Sequence, residues 1–409
     1  MYTFFAIAFR NVFRNRRRTA FTLLVITFGA AALLVAGGFI QGNFEGLRER
    51  TIRNGLGHLQ VFTTAYIDGG EERPLEHGLA DHRAVEKWLG QQDHVLVTTA
   101  QVDFVGLISN GEKSEPFIGN GVEPEREAEM GFSLNLKEGE PLWEDGGEDQ
   151  ALLGTGLAAS LKAKVGDVLT VMGTTSDGAL NAVDVRVVGL YSTGIKEFDE
   201  RALKVPLRTA QHLLNSDRVT KIIVKLDATR RTESVAAGLV AGGLGPQGAG
   251  LGVKTWGDLA GFYKQVVLLY RSIFLFLGII IVILVVLSAA NTMMMSVLER
   301  VTEIGTLLAL GTRRWQILSI FLLEGFLTGC LGGLVGLAFS YGLIHLLNAA
   351  HITLPPPPSF STGIPLLVKV VPAMFGSVFV LLVSILSVSA LLPAARGARI
   401  RIVEALGHV

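Results

Sequence analysis

The chain alternates between long stretches without a charge and stretches dense in charge. Residues 19–40, 272–298 and 370–395 hold no Asp, Glu, Lys or Arg. Each is at least as long as the roughly 20 helical residues that cross a bilayer core. A fourth apolar stretch, 315–348, carries one charge, Glu324, and the glycines Gly325, Gly329, Gly332, Gly333 and Gly336. Small residues so spaced let helices pack closely in lipid. The pattern predicts four transmembrane helices: 19–40, a stalk and second span over 266–298, 315–348, and 370–395. The first follows a basic start, as a signal peptide would. Its apolar run exceeds the usual stretch of about 7–15 residues, so it is expected to be a retained anchor. At residues 4–19, Phe5, Ala8, Phe9, Val12 and Phe13 recur at helical spacing among arginines. Residues 1–18 are therefore expected to form an amphipathic interfacial helix.

Between the first and second spans the periodicity changes. Residues 55–64 and 94–111 alternate and are rich in Val and Thr, as strands are. Residues 80–90 have helical spacing. The acidic, Gly-rich stretch 123–150 is expected to be surface loops around one helix. Residues 151–173 predict strand, Gly turn, short helix, Gly-Asp turn and strand. Residues 184–214 predict a strand, a loop, a second strand and a helix starting near Pro206, and 219–227 a further strand. This interleaving predicts an α+β domain over 41–265, about 225 residues, inserted between two spans. From Trp256 onward the pattern is helical without a break into the second span, a rigid continuation able to carry motion.

Charge sharpens the division. The chain is balanced at 36 basic and 36 acidic residues, yet 41–265 holds 32 acids and 23 bases, while the rest holds 4 acids and 13 bases. Two compartments are implied. Mean hydropathy is +0.45, which fits a membrane protein with a large water-exposed part. Arginines cluster before the first span (Arg10, Arg14, Arg16, Arg17, Arg18), between the second and third (Arg300, Arg313, Arg314), and after the fourth (Arg396, Arg399, Arg401). With four spans all three clusters fall on one side, which is then cytoplasmic. Both termini, including the tail 396–409, are expected there. The domain 41–265 and the loop 349–369, with its stiff proline run 353–360, are expected outside.

The candidate chemistry is sparse. The single cysteine, Cys330, lies in an apolar stretch and excludes an internal disulfide. No HExxH, GxSxG or GxxxxGK[ST] occurs, so zinc-protease, serine-hydrolase and P-loop ATPase readings fall away. Glu76, His77, Asp81 and His82 have the donor types of a metal site, but a solvated loop accounts for them. The Gly-rich run 243–252 is expected to be a flexible turn. No metal, nucleic acid or bound cofactor is expected.

The charged segment 299–314 between two spans is the exception. Val301, Ile304, Leu307 and Leu308 give an apolar face, and Glu299, Arg300 and Glu303 a polar one. Gly305 suits close approach, Gly311 a helix stop, and Arg313 and Arg314 a headgroup anchor. This predicts a short amphipathic cytoplasmic helix. It either only orients the spans or is gripped by a separate soluble partner.

The segment "ERVTEIGTLLALGTRRWQI" resembles the cytoplasmic coupling region of permeases in the MacB/FtsX/LolC–LolE superfamily of ABC transporters. Arg300, Glu303, Ile304, Gly305, Leu307, Ala309, Leu310 and Gly311 match that pattern. The end "PAARGARIRIVEAL" resembles the family terminus, with Ile402 where Pro is usual. Residues 152–171 and 185–194 resemble its periplasmic domain, and the start of the outer domain, 57–66, looks most like the lipoprotein-releasing LolC/LolE group. The resemblance implies a non-catalytic permease in the bacterial inner membrane, with a separate ATPase dimer that holds ATP and Mg, and a second permease, identical or related. ATPase coupling would fall to Glu299, Arg300, Glu303, Ile304, Gly305, Leu307, Leu310, Gly311, Arg313 and Arg314. A lipoprotein or lipid client would meet Phe39, Ile40, Phe44, Leu47, Phe262, Val266 and Leu269, which dimer packing would equally explain. The alternatives are a MacB-like efflux or mechanotransmission permease with a periplasmic adaptor, and an FtsX-like regulator of a cell-wall hydrolase. Glu324 matches the family's "LLE" and fits a structural partner as well as a coupling role.

Overall fold

The computed structural model describes residues 2–67, 75–132, 135–144, 149–243, 250–355 and 364–399. The proline run beyond 355, the core of the Gly-rich run and the tail from 400 lie outside the described residues. The chain divides into two compact units.

The first unit comprises Met1–Glu45, Val266–Leu354 and Pro365–Val409. Among the described residues, four helices are long and apolar enough to cross a membrane: Arg16–Leu56, Tyr263–Leu298, Arg314–Ala349 and Pro372–Ala398. A separate helix, Tyr2–Arg14, precedes the first. Ala8 and Val12 of that helix are buried against Leu327 of the third span. Phe5, Phe9 and Phe13 remain exposed along its other side.

The third span is the centre of this bundle. Over half of its apolar window, 56%, is buried, against 11% for the second span. Its glycines explain why. A Cβ on Gly325 would lie 2.8 Å from the Ala390 methyl, one on Gly329 3.0 Å from the Val383 backbone, and one on Gly333 2.8 Å from Phe379. These three, four residues apart, seat the fourth span. Gly332 and Gly336, on another side, would meet Ile26 and Ala30 of the first span, each at 2.8 Å. Lipid supplies no hydrophobic drive between helices, so close backbone approach is what holds them. Ile26, Ala30 and Leu34 complete that contact with Val285, Ala289, Leu382 and Leu386.

Two element boundaries differ from the sequence expectation. The first helix does not stop at 40 but runs Arg16–Thr51, because nothing from 41 to 50 breaks it. It ends in an irregular turn, Ile52–Leu56, with Gly55 at φ 102°. The predicted unbroken helix from Trp256 is incorrect. Thr255 and Asp258 form a reciprocal capping box around one turn, Trp256–Leu259. Ala260 then leaves helical geometry (φ −81°, ψ 60°), and a new helix, Gly261–Leu298, begins. The box satisfies the backbone locally, and Gly261 is a weak propagator.

The second unit, Gly46–Gln265 with Pro355–Ile364, is α+β. Its strands are β1 (Leu59–Thr63), β2 (Val95–Ser109), β3 (Ser114–Val122), β4 (Asn135–Gly139), β5 (Gln150–Gly154), β6 (Val168–Thr174), β7 (Leu180–Ser192), β8 (Ala202–Pro206), β9 (Lys221–Leu226) and β10 (Leu251–Thr255). The strand β2 serves two arrays. Its first half pairs with β9, which continues through β1 to β10. Its second half pairs with β3 and β6. The pairings β2–β3–β8–β5–β7–β6–β2 close on themselves, so this array presents no free edge along that path. Strand β7 shows the expected period of two: Val183, Val185 and Val187 are buried, while Ala182, Asp184 and Arg186 are exposed. Helix Leu207–Leu214 covers the sheet with Leu207, Ala210, Leu213 and Leu214. Strands β3 and β10 have no counterpart in the sequence expectation, and β4 falls where loops were expected.

Two buried acids in this unit contrast. Asp199 accepts from Ser192 Oγ at 2.6 Å, Thr193 N at 2.6 Å and Thr193 Oγ1 at 2.7 Å, so its burial is compensated. Glu86 is 8% exposed, and its Oε1 has no hydrogen-bond partner. Burial, with Glu123 adding to it, pushes the Glu86 carboxyl up to about 7. His82, one turn earlier, is also buried, with Nδ1 unpartnered. The helix expected over 80–90 is present as His82–Leu89, capped by Asp81; Glu76 and Asp81 are exposed, and the solvated reading fails only for His82, which the helix turns inward.

Between an ordinary glutamate pKa of 4.5 and about 7, the folded state holds a Glu86 proton that the unfolded state has lost. The unit's stability is therefore expected to fall as pH rises through that window. Thermal unfolding of the detergent-purified chain, with Glu86→Gln flattening the profile, checks this. In the first unit, Gly332→Leu forces a side chain into Ile26. It should cost about 1–3 kcal/mol, as overpacking does, read as a lower melting temperature of the membrane bundle.

Candidate coupling site

The second span ends at Leu298, and Glu299 and Arg300 form a tight turn, with Glu299 N donating to Met295 O at 2.9 Å and Arg300 N to Val297 O at 3.2 Å. A nine-residue helix, Val301–Ala309, follows. Gly311, at φ 92°, ends it by a left-handed turn, with Thr312 N donating to Leu307 O at 3.0 Å. Arg313 caps the third span, its N–H bonded to Gln316 Oε1 at 2.8 Å, and Arg314 is that helix's first residue.

The short helix turns inward a stripe spaced i, i+3, i+4, i+7, in which Ile304 and Gly305 are buried and Val301 and Leu308 half-buried. Ile304 and Leu308 pack against Val297, Ile317, Phe321, Ala394 and Ala398. Leu307 was expected on this apolar face. It falls on the flank and is 38% exposed, and Leu310 is 85% exposed. The helix thus keeps one apolar stripe in the bundle and presents two leucines outward.

Its polar residues also divide. Glu303 pairs with Arg14 at 2.7 Å and Glu299 with Arg18 at 2.9 Å. The Arg14 hydrogen bond holds the Glu303 carboxyl below its usual range. Both pairs are partly open to solvent, so they orient the elements they join, Arg14 the N-terminal helix and Arg18 the first span, more than they stabilise them. Arg300 was expected on the polar side. It is instead 6% exposed, its guanidinium donating to Glu324 Oε2 and to the Asn11 carbonyl, each at 3.4 Å. The Ser296 hydroxyl donates to Glu324 Oε1 at 3.4 Å. Arg300 is the N-cap residue of the short helix Val301–Ala309, so its side chain projects back toward the spans instead of following the helix's polar face. A cavity of about 30 Å³ adjoins, lined by Arg18, Thr22, Thr292, Ser296, Glu324 and Thr328 among others, with room for about one water. Asn11, Ser296, Thr22 and Thr292 were not singled out from sequence. For Ser296 the i, i+4 spacing to Arg300 was a signal; Asn11, Thr22 and Thr292 had none.

The proposed client contacts do not form one described cluster. Phe44 packs edge-on against Tyr270, ring centroids 6.2 Å apart. Phe39, Ile40 and Val266 are half-buried, and Leu269 is exposed. Leu47 belongs to the second unit, and the Phe262 side chain lies outside the described residues. Among the described residues no group of three or more metal-ligating side chains occurs.

The MacB-like periplasmic core domain family matches residues 19–241, and the FtsX-like permease C-terminal family matches 275–402. The chain is similar to the lipoprotein-releasing system transmembrane protein LolC of Xylella fastidiosa, 25% identical, covering 97% of this chain and 96% of that one. It is also similar to the uncharacterized ABC transporter permease YvrN of Bacillus subtilis, 24% identical over 98% of each chain. LolE of Haemophilus influenzae is 23% identical over 80% of this chain and 77% of its own. Among solved structures, the periplasmic region of MacB from Actinobacillus actinomycetemcomitans aligns with a TM-score of 0.37 and 18% identity, over 53% of this chain and 95% of that one.

Proposed function

This chain belongs to the ABC transporter permeases with a MacB-like periplasmic core domain and an FtsX-like C-terminal region, and we propose that it passes the ATP-driven movement of a separate ATPase to that domain. The single observation that carries this is the helix Val301–Ala309, set between two spans, with one stripe packed in the bundle and Leu307 and Leu310 turned outward. Those leucines, with Glu303 and Glu299, offer a mixed apolar and acidic surface for an ATPase to grip. ATP and Mg are held by that partner, and this chain is non-catalytic. The three arginine clusters favour a cytoplasmic position for the helix and both termini of an inner-membrane protein.

The full-length similarity to LolC and the similarity to LolE favour release of lipoproteins, or lipids, from the outer leaflet, by a pair of permeases above an ATPase dimer. Among the described residues, Glu324 and Arg300 are the charged side chains buried in the bundle, and the other buried polar groups of the spans are hydroxyls, which suits extraction better than conduction. A MacB-like efflux or mechanotransmission role is the second reading, favoured by the core-domain match over 19–241.

Glu303→Ala with Gly305→Val should leave the chain inserted and ATP hydrolysis by the complex running. Client release from reconstituted membranes should fall roughly 5- to 150-fold, the usual range of coupling energies. Wild-type release by that variant contradicts the coupling role.

A further inference from the structure

Two charges with side chains only 7% and 6% exposed, Arg300 and Glu324, sit where the second and third spans meet the N-terminal helix. Moving such a pair out of water costs more than a single contact returns, and apolar residues of similar size would often serve stability as well. The geometry here is not optimised for strength. All three hydrogen bonds of the cluster are 3.4 Å long, and Arg300 divides its guanidinium between Glu324 and the Asn11 carbonyl. Beside the carboxylate lies the cavity of about 30 Å³, edged by the hydroxyls of Thr22, Thr292, Ser296 and Thr328. Thr22 and Thr292 already link the first and second spans at 3.1 Å. The cluster therefore joins the second span, the third span and the N-terminal helix, through contacts long enough to break and re-form, next to a space that takes a water.

We propose that Arg300 and Glu324 form a positioning joint, which fixes the turn before helix Val301–Ala309 in register with the third span and the N-terminal helix, and which contributes register instead of stability. The joint holds the segment at one angle in the resting chain. When the segment is pushed, the guanidinium exchanges Glu324 and Asn11 contacts for the neighbouring water and hydroxyls, and the third span follows. Ser296 keeps the carboxylate oriented throughout. The joint itself needs no partner. Its use in transmission rests on the coupling role proposed above.

The test compares wild type with R300M/E324L, which replaces the pair by apolar side chains of similar size, and with E324Q, which keeps shape and removes one charge. Each full-length chain is purified in detergent. The expected result is a melting temperature for R300M/E324L equal to or above wild type, with amide hydrogen exchange across 299–311 at least roughly tenfold faster in both variants. Unchanged exchange in either variant overturns the joint, as does a lowered melting temperature of R300M/E324L, which would make the pair a stabilising contact. The same variants are then measured in the complex for client release per ATP hydrolysed. Faster exchange with unaltered release leaves the joint standing and counts against the coupling role. Faster exchange with lost release supports both.

Discussion

A carboxylate in the middle of a packed membrane bundle has to be answered by a cation, and that constraint organises the membrane unit. Glu324 lies on the most buried span, and Arg300 reaches it from the turn that closes the second span. Because the arginine must point inward, the turn is fixed, and the helix that follows starts at Val301 with a set rotation. That rotation puts Ile304 and Gly305 against the bundle and leaves Leu307 and Leu310 outside. In the proposed joint, the outward surface follows from the buried pair.

The third span provides the frame in which this is possible. Its glycines bring two neighbours to backbone contact, Gly325, Gly329 and Gly333 toward the fourth span, Gly332 and Gly336 toward the first. The second span takes little part in this packing and is left with most of its surface open. In the other unit, the closed path of strands leaves no free edge along that path, and the chain's single cysteine supplies no internal disulfide.

The spans were legible because lipid imposes one strong rule: about 20 residues without charge. The turn-helix-turn pattern of 151–173 was legible because Gly and Asp mark its turns. Strand β3 was not, since Gly119 and Gly121 interrupt its alternation. They are there because Phe104 and Ala210 press on the strand from close range. The break at Ala260 was written in the Thr255–Asp258 box, but the apolar pattern on either side concealed it. The inward turn of Arg300 was invisible for a different reason. Its direction depends on where the short helix starts, and one residue changes a side chain's heading by about 100°. Glu324 was identified from its cost in lipid, while its partner could be found only in three dimensions.

The central claim is that an ATPase grips this chain. The most direct measurement is quantitative mass spectrometry of everything that co-purifies with the full-length chain from native membranes. An ABC ATPase in a one-to-one ratio with permease chains, together with lipid-modified proteins, is the predicted result. Absence of any ATPase from an intact, folded preparation would contradict it.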